Sequence, residues 1–377
     1  MKLYVQPGDG IMPVVKAINS AKTSVEILVF RFDRSEIEHA LAAAVPRGVS
    51  VHALIAHTSR AGEQGLRQLE MRLLAAGVTV TRTAGDLTRY HGKMLIIDRR
   101  ELWMFTFNYT HLDIERSRSF AIATTQRSLV LEAGRLFDAD AKRRSYEPGC
   151  PSLVVSPANA RKELAAFIKG AKSRLSIYDP TISDPAMHRL LEERAKAGVE
   201  IRILGRVPLR TSKLAVNKPP LRLHARVMVR DGTHVFLGSQ SLRRMELESR
   251  REIGIICSDR RIASRVAKIF DEDWNQAEAA KAQDKADAAA PASKVAKRVA
   301  KAVTKDLPPV APVLKVVIRE LTGENGVGLS SEEVEDSVRH AVKAAVKDAV
   351  QNVVEGAQEL KEEQQEEELA NLPGKKS

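Results

Sequence analysis

Hydrophobic positions along the chain fall into short runs that switch between two periods. From residue 14 an Ala/Ile-rich stretch carries helical spacing and ends near Lys22. Ser24-Val25-Glu26-Ile27-Leu28-Val29-Phe30 then has the apolar, β-branched composition of a buried strand. Glu36 to Val45 returns to helical spacing, and beyond the Arg47-Gly48 break Val49-Ser50-Val51-His52-Ala53-Leu54-Ile55 reads as a second strand. Residues 164–205 repeat this order at a constant offset of 150: Ala171-Lys172 matches Ala21-Lys22, and Leu175-Ser176-Ile177-Tyr178 and Ala197 to Leu204 match the two strands.

Farther along, the offset becomes 133 and the match sharpens. His91-Gly92-Lys93-Met94-Leu95-Ile96-Ile97-Asp98 pairs with His224-Ala225-Arg226-Val227-Met228-Val229-Arg230-Asp231, and Phe137-Asp138-Ala139-Asp140 pairs with Phe270-Asp271-Glu272-Asp273. The 17-residue difference lies between the second strand and the His, where the first half inserts a helix predicted over Glu63 to Ala76. Two βαβ-rich halves in the same order predict an α/β fold with pseudo-two-fold symmetry.

The paired segments carry chemistry. If the His segment is strand, His91 and Lys93 share a face, because alternate side chains do. An imidazole beside an ammonium suits a phosphoryl centre, with the imidazole as nucleophile or proton carrier and the cation on the non-bridging oxygens. Asp98, seven residues on, is too far to share that face and is expected to orient or pair structurally. A lone match of this kind usually marks a structural His and a solvated Lys; recurrence at equivalent places in two repeats argues otherwise.

On these residues the sequence resembles the phospholipase D superfamily, whose members carry two His-x-Lys-x4-Asp motifs meeting at one active site. The resemblance covers residues 1–277. In that family a Gly-Ser pair, an Asn and a Glu follow each His at fixed distances. The second half keeps Gly238-Ser239 and Glu252 but has Ser241 for Asn; the first keeps Asn108 but has Phe105-Thr106 and Ser119 in the other places. Arg226 replaces the second motif's Lys, which keeps a cation able to grip phosphate bidentately but changes the shape of the pocket. The resemblance implies a two-step displacement without metal or cofactor, with His91 as nucleophile and His224 as general acid/base oriented by Glu252. Lys93, Arg226, Asn108 and Ser239, with Thr106 and Ser241 beside them, would contact the phosphoryl group, while Asp98 and Asp231 would stand behind them.

Composition divides the chain. Of 377 residues, 278–377 hold 15 basic and 18 acidic side chains and no aromatic, whereas the preceding body holds 45 and 30, a net of +15 against −3. The expected organisation is a first repeat at 1–148, a second at 149–277, an Ala/Lys/Pro-rich linker at 278–328, and an amphipathic helix with acidic end at 329–377. Val334, Val338, Val342, Val346, Val350 and Val354 form a stripe for self-association or a protein partner. Arg206, Arg210, Lys213, Lys218 and Arg222 suggest a basic lip before His224, and His111, Asp113 and Glu115 read as a polar loop rather than a metal set. Cys150 and Cys257 are read as isolated thiols, and the absence of a long apolar run or a secretory signal predicts a cytoplasmic protein.

Because one chain supplies both His, the catalytic body is expected to act as a monomer. The leading expectation is hydrolysis or transfer at a phospholipid phosphodiester through a phosphohistidine, with peripheral membrane contact. The alternatives are a nuclease or nucleic-acid phosphodiesterase, supported by the +15 body, and a phosphate-ester-binding pseudoenzyme with an interaction tail, motivated by the motif departures.

Overall fold

The computed structural model describes residues 1–57, 63–208 and 212–289, excluding the side chains of 63–64 and 284–289. The first half runs β1 (Lys2–Gln6), α1 (Met12–Ser20), β2 (Ser24–Val29), α2 (Ser35–Ala44), β3 (Ser50–Ile55), α3 (Glu63–Ala75) and β4 (Thr79–Arg82). It continues with β5 (Arg89–Tyr90), β6 (Met94–Ile97), β7 (Glu101–Phe105), α4 (His111–Glu115), β8 (Ser117–Thr124) and α5 (Arg127–Ala141). The second half runs β9 (Leu153–Val155), α6 (Ala160–Lys169), β10 (Arg174–Asp179), α7 (Pro185–Lys196), β11 (Glu200–Gly205) and β12 (Ala215–Asn217). There follow β13 (Arg222–Leu223), β14 (Arg226–Arg230), β15 (His234–Gly238), α8 (Arg244–Glu248), β16 (Arg250–Arg251), β17 (Ile253–Cys257) and α9 (Arg260–Ala289).

Each half builds one sheet. The first has the order β1-β8-β7-β6-β2-β3-β4, with β13 of the other half added at β8, and the second has β12-β11-β10-β14-β15-β17-β9. The orders correspond strand for strand, and so do the registers. Ile27 faces Leu95 across the antiparallel β2–β6 pair, and Ile177 faces Met228 across β10–β14, reproducing both sequence offsets. The strands read as nearly continuous apolar runs because both sheet faces are covered. The inserted helix is α3, which has no counterpart among the described residues between β11 and β12.

Three cores result. One lies around α1, α2 and α3, another around α6 and α7, and the third is shared, drawing Leu28, Met94 and Phe120 from one half and Val227, Leu237 and Ile253 from the other. Helices α5 and α9 close the shared core with Leu136, Phe137, Val266 and Phe270. Buried charges tie the halves reciprocally. Arg118 donates to both oxygens of Asp273 at 2.7 and 2.9 Å, and its counterpart Arg251 donates to Asp140 at 3.0 Å. This accounts for the recurrence of the Phe-Asp-x-Asp motif: its last Asp receives the other half's Arg.

The chain divides into two units, the first spanning Met1–Ala279. Helix α9 passes through the expected 277/278 boundary as far as Ala289, so the beginning of the linker is helical. The rest of that linker, the valine stripe and the acidic end lie outside the described residues. Among the described residues no helix is long and apolar enough to cross a membrane. Cys150 and Cys257 are free thiols, the latter buried.

Candidate active site

The halves exchange backbone where the two His stand. Chain segments β5 and β16 pair as parallel strands, Arg89 with Arg250 and Tyr90 with Arg251; β13 pairs with β8, Arg222 with Ser117 and Leu223 with Arg118. His91 follows β5 and His224 follows β13, so both fall just outside the strands rather than within them. The N–H groups of His91 and Gly92 donate to Arg251 O at 2.8 and 3.0 Å, and that of His224 donates to Arg118 O at 3.2 Å. Gly92 answers a close approach, since a Cβ there would lie 2.4 Å from Ile253 Cδ1. Each His is thereby clamped to the opposite half, and the ring centroids are 6.3 Å apart.

The surroundings are enclosed and cationic. His91, His224 and Arg226 are 6, 7 and 4 % exposed, and Lys93 is fully buried with Nζ donating to His91 O at 2.6 Å. Phe30 packs edge-on against His91 at 4.7 Å, and Lys93 Nζ lies 5.5 Å from the same ring. Burial, reinforced by Lys93, Arg226, Arg250 and Arg89, holds His91 well below the ordinary imidazole range. Burial also lowers His224, with Asp113 opposing it and Arg226, Arg222 and Lys93 reinforcing it. Lys93 is likewise lowered well below the ordinary ammonium range by burial, against the pull of Glu252.

The carboxylates are not distributed as the motif suggested. Glu252 faces His91, with Oε2 3.0 Å from Nδ1, and does not orient His224. The reason is the strand exchange, which delivers each half's β8 or β16–β17 segment to the His of the other half. The corresponding place opposite His224 belongs to Ser119, whose hydroxyl donates instead to Asp113 O at 3.0 Å. The acid facing His224 is Asp113, with Oδ2 3.4 Å from Nδ1, close but not a formed hydrogen bond. Arg222 donates to the other oxygen at 2.6 Å and to Ser117 at 2.9 Å, and Asn108 donates both its backbone and side-chain N–H to Oδ2 at 2.9 and 3.0 Å. Burial would raise Asp113, but His224, Arg222 and the Asn108 amide outweigh it and hold the carboxylate below its usual range.

Asp113 therefore belongs to the site and not to an ordinary polar loop. His111 and Glu115 turn elsewhere, to Asp33 and Arg34. A signal was available: at the offset of 133, Asp113 aligns with Glu246, another acid in another short helix. Glu246 accepts from Ser241 N at 2.5 Å as Asp113 does from Asn108 N.

Arg226 Nε donates to Ser241 Oγ at 3.2 Å, while its Nη1 is buried without an internal hydrogen-bond partner. Ser239 and Thr106 are placed alike: their hydroxyls accept from Ile253 N at 3.0 Å and from Phe120 N at 2.9 Å, within the strand ladder. Asp98 and Asp231 sit at the far ends of β6 and β14. Their carboxylates accept from the backbones of residues 22–24 and 172–174, so they secure turns rather than stand behind the His. The φ of 53° at Asp98 and 52° at Asp231 is a conformation that Asp tolerates better than most residues. Of the expected basic lip, Arg222 is drawn inward to Asp113, Arg206 donates to Thr181 at 3.4 Å, and Arg210 lies outside the described residues.

A family model described as a cardiolipin synthase, phospholipase D-like domain matches residues 14–141 and 205–274, just over half of the chain. The chain belongs to this family of two-repeat α/β proteins. No curated protein matches the sequence. Among solved structures, a polyphosphate kinase from Porphyromonas gingivalis superposes with a TM-score of 0.60 at 19 % identity, over 72 % of this chain and 49 % of its own. The chain thus spans about half the length of that kinase. A phosphatidylserine synthase from Haemophilus influenzae superposes with a TM-score of 0.55 at 9 % identity, over 73 % of this chain and 86 % of its own. At these identities the likeness is one of fold.

Proposed function

We propose that the chain is a phospholipase D-like phosphodiesterase or phosphatidyltransferase that acts on phospholipids through a phosphohistidine. The observation that carries this reading is the pair of buried imidazoles, ring centroids 6.3 Å apart, each with a carboxylate at Nδ1 and with Lys93 and Arg226 alongside. Glu252 bonded at His91 Nδ1 and Asp113 facing His224 Nδ1 both leave the ring's Nε2 for chemistry.

His91, kept neutral, forms the N–P bond as the P–O bond to the leaving alkoxide breaks, and His224, which takes up a second proton on Nε2 when the phosphodiester anion binds beside it, gives that proton to the leaving oxygen. Water or an acceptor alcohol then loses a proton to His224 and attacks phosphorus, returning the N–P electron pair to His91. Lys93 and Arg226 balance the negative charge of the transferring group. A bound phosphodiester anion also favours the charged ammonium that burial disfavours in Lys93.

The test offers phosphatidyl lipids, single-stranded DNA and bis-p-nitrophenyl phosphate in parallel to the full chain, with acid-stable and base-stable adducts separated. Turnover of lipid with a base-stable phosphoryl adduct, lost in His91→Asn, is expected. Wild type without turnover or adduct would leave a phosphate-ester-binding pseudoenzyme. The net +15 of the body favours a second reading, a nucleic-acid phosphodiesterase. Preferential cleavage of DNA, with binding that weakens steeply as salt rises, would replace the lipid reading.

A further inference from the structure

We infer that Asp113 is the positioning residue of His224, a place that the family pattern gives to residue 119 and that Ser119 cannot fill. The inference rests on the two-histidine reading above. Three independent contacts converge on it. Asp113 Oδ2 faces His224 Nδ1 at 3.4 Å, Arg222 secures Oδ1 at 2.6 Å from the strand that carries His224, and Asn108 secures Oδ2 through two N–H groups. Thr110 caps the same short helix by accepting from Asp113 N at 3.3 Å, and Ser119 holds Asp113 O at 3.0 Å. The serine at the family's carboxylate position thus supports the residue that supplies a carboxylate here.

The second half shows the alternative arrangement. Glu252 occupies the family position and takes His91, and Glu246, the counterpart of Asp113, turns to Arg250 and Arg243 at 3.5 and 3.7 Å. The short helices α4 and α8 thus carry an acid at the same place in both halves, and only the one in α4 faces a His. Around His224 the cations Arg226, Arg222 and Lys93 all oppose its protonation, and Asp113 is the group that counters them. Without it the proton that His224 must carry between leaving group and incoming alcohol would be held poorly.

The experiment reads His224 directly. In the full chain, the ring nitrogens of His224, assigned by loss of signal in His224→Asn, are followed by NMR through a pH titration. Without substrate, the expected wild-type result is a neutral ring with its hydrogen on Nδ1; a neutral ring with its hydrogen on Nε2 overturns the inference whether or not any variant folds. Asp113→Asn is expected to release the tautomer and lower the titration of His224 by about one pH unit or more, with bis-p-nitrophenyl phosphate turnover falling roughly 100-fold. Adding Ser119→Glu to Asp113→Asn should restore at least about tenfold of that loss, which a merely structural role would not do. A folded Asp113→Asn with unchanged tautomer and titration would reduce Asp113 to a cap of the Asn108 loop. Because the NMR result needs no turnover, an inactive wild type would count against the functional reading and leave this inference decided separately.

Discussion

The two halves share strand order, register and reciprocal Arg–Asp ties, yet they equip their His differently. The first half contributes Lys93, Asn108 and Asp113 to the site, and the second contributes Arg226, Ser241 and Glu252. Where one half has a long amide beside a linear ammonium, the other has a short hydroxyl beside a broad guanidinium. Arg226 Nε donates to Ser241 Oγ at 3.2 Å, a contact suited to the smaller side chain. The difference teaches that the repeat conserves places, while the chemistry at each place is settled between the halves.

The largest effects should come from the imidazoles. His91→Asn and His224→Asn are each expected to lower turnover by roughly 10⁴-fold or more. They should differ in quench experiments: His91→Asn forms no phosphoryl adduct, and His224→Asn forms one slowly if the leaving group is a good one. An adduct on His224 in wild type would exchange the two roles.

The reciprocal ties offer a second comparison. Removing one member of a buried pair leaves an uncompensated charge and costs about 3–5 kcal/mol. Arg118→Met should reach that range in thermal unfolding, since Asp273 would lose both guanidinium bonds and keep the Tyr178 hydroxyl at 2.7 Å. Arg251→Met should cost less near pH 5 than at pH 8. Burial already raises its partner Asp140 to about 6, and the stranded carboxyl can take up a proton. Equal losses at both pH values would show that Asp140 stays ionised throughout.

Asp179 lies only in the second half; the equivalent residue of the first is Val29. Burial raises its carboxyl to about 7, with Leu242 N and Arg226 pulling down and Glu246 pushing up. The folded value exceeds the unfolded one, so the unfolded chain releases this proton first as pH rises from about 4. The contribution to stability is therefore full below pH 4 and lost as pH rises through 7. The melting temperature of wild type relative to Asp179→Asn should fall over that window, and a difference independent of pH would exclude the assignment.

The smallest expected effect concerns the exchanged pair. Arg226→Lys and Ser241→Asn should each impair turnover, and the double variant should recover part of the loss, with a coupling of about 0.5–3 kcal/mol. Additive losses would mean that the two departures from the family pattern arose independently of each other's space.

Much of this was legible along the chain. Recurrence at offsets of 150 and 133 predicted two α/β halves and brought His91 and His224 forward as partners, because repeated local patterns impose repeated local structure. The Phe-Asp-x-Asp match was visible without its meaning. Less legible was which acid serves which ring, since Glu252 is 28 residues after His224 but touches His91, 161 residues away.

By itself the sequence determined the strand and helix periods, the two sheets they build and the identity of the basic and imidazole side chains. Only the tertiary structure decided the pairings. Strands β13 and β16 cross to the opposite half, carrying His224 toward Asp113 and Glu252 toward His91. Periodicity reports which face a side chain takes within its own sheet, whereas a contact across two sheets depends on how their shared core packs.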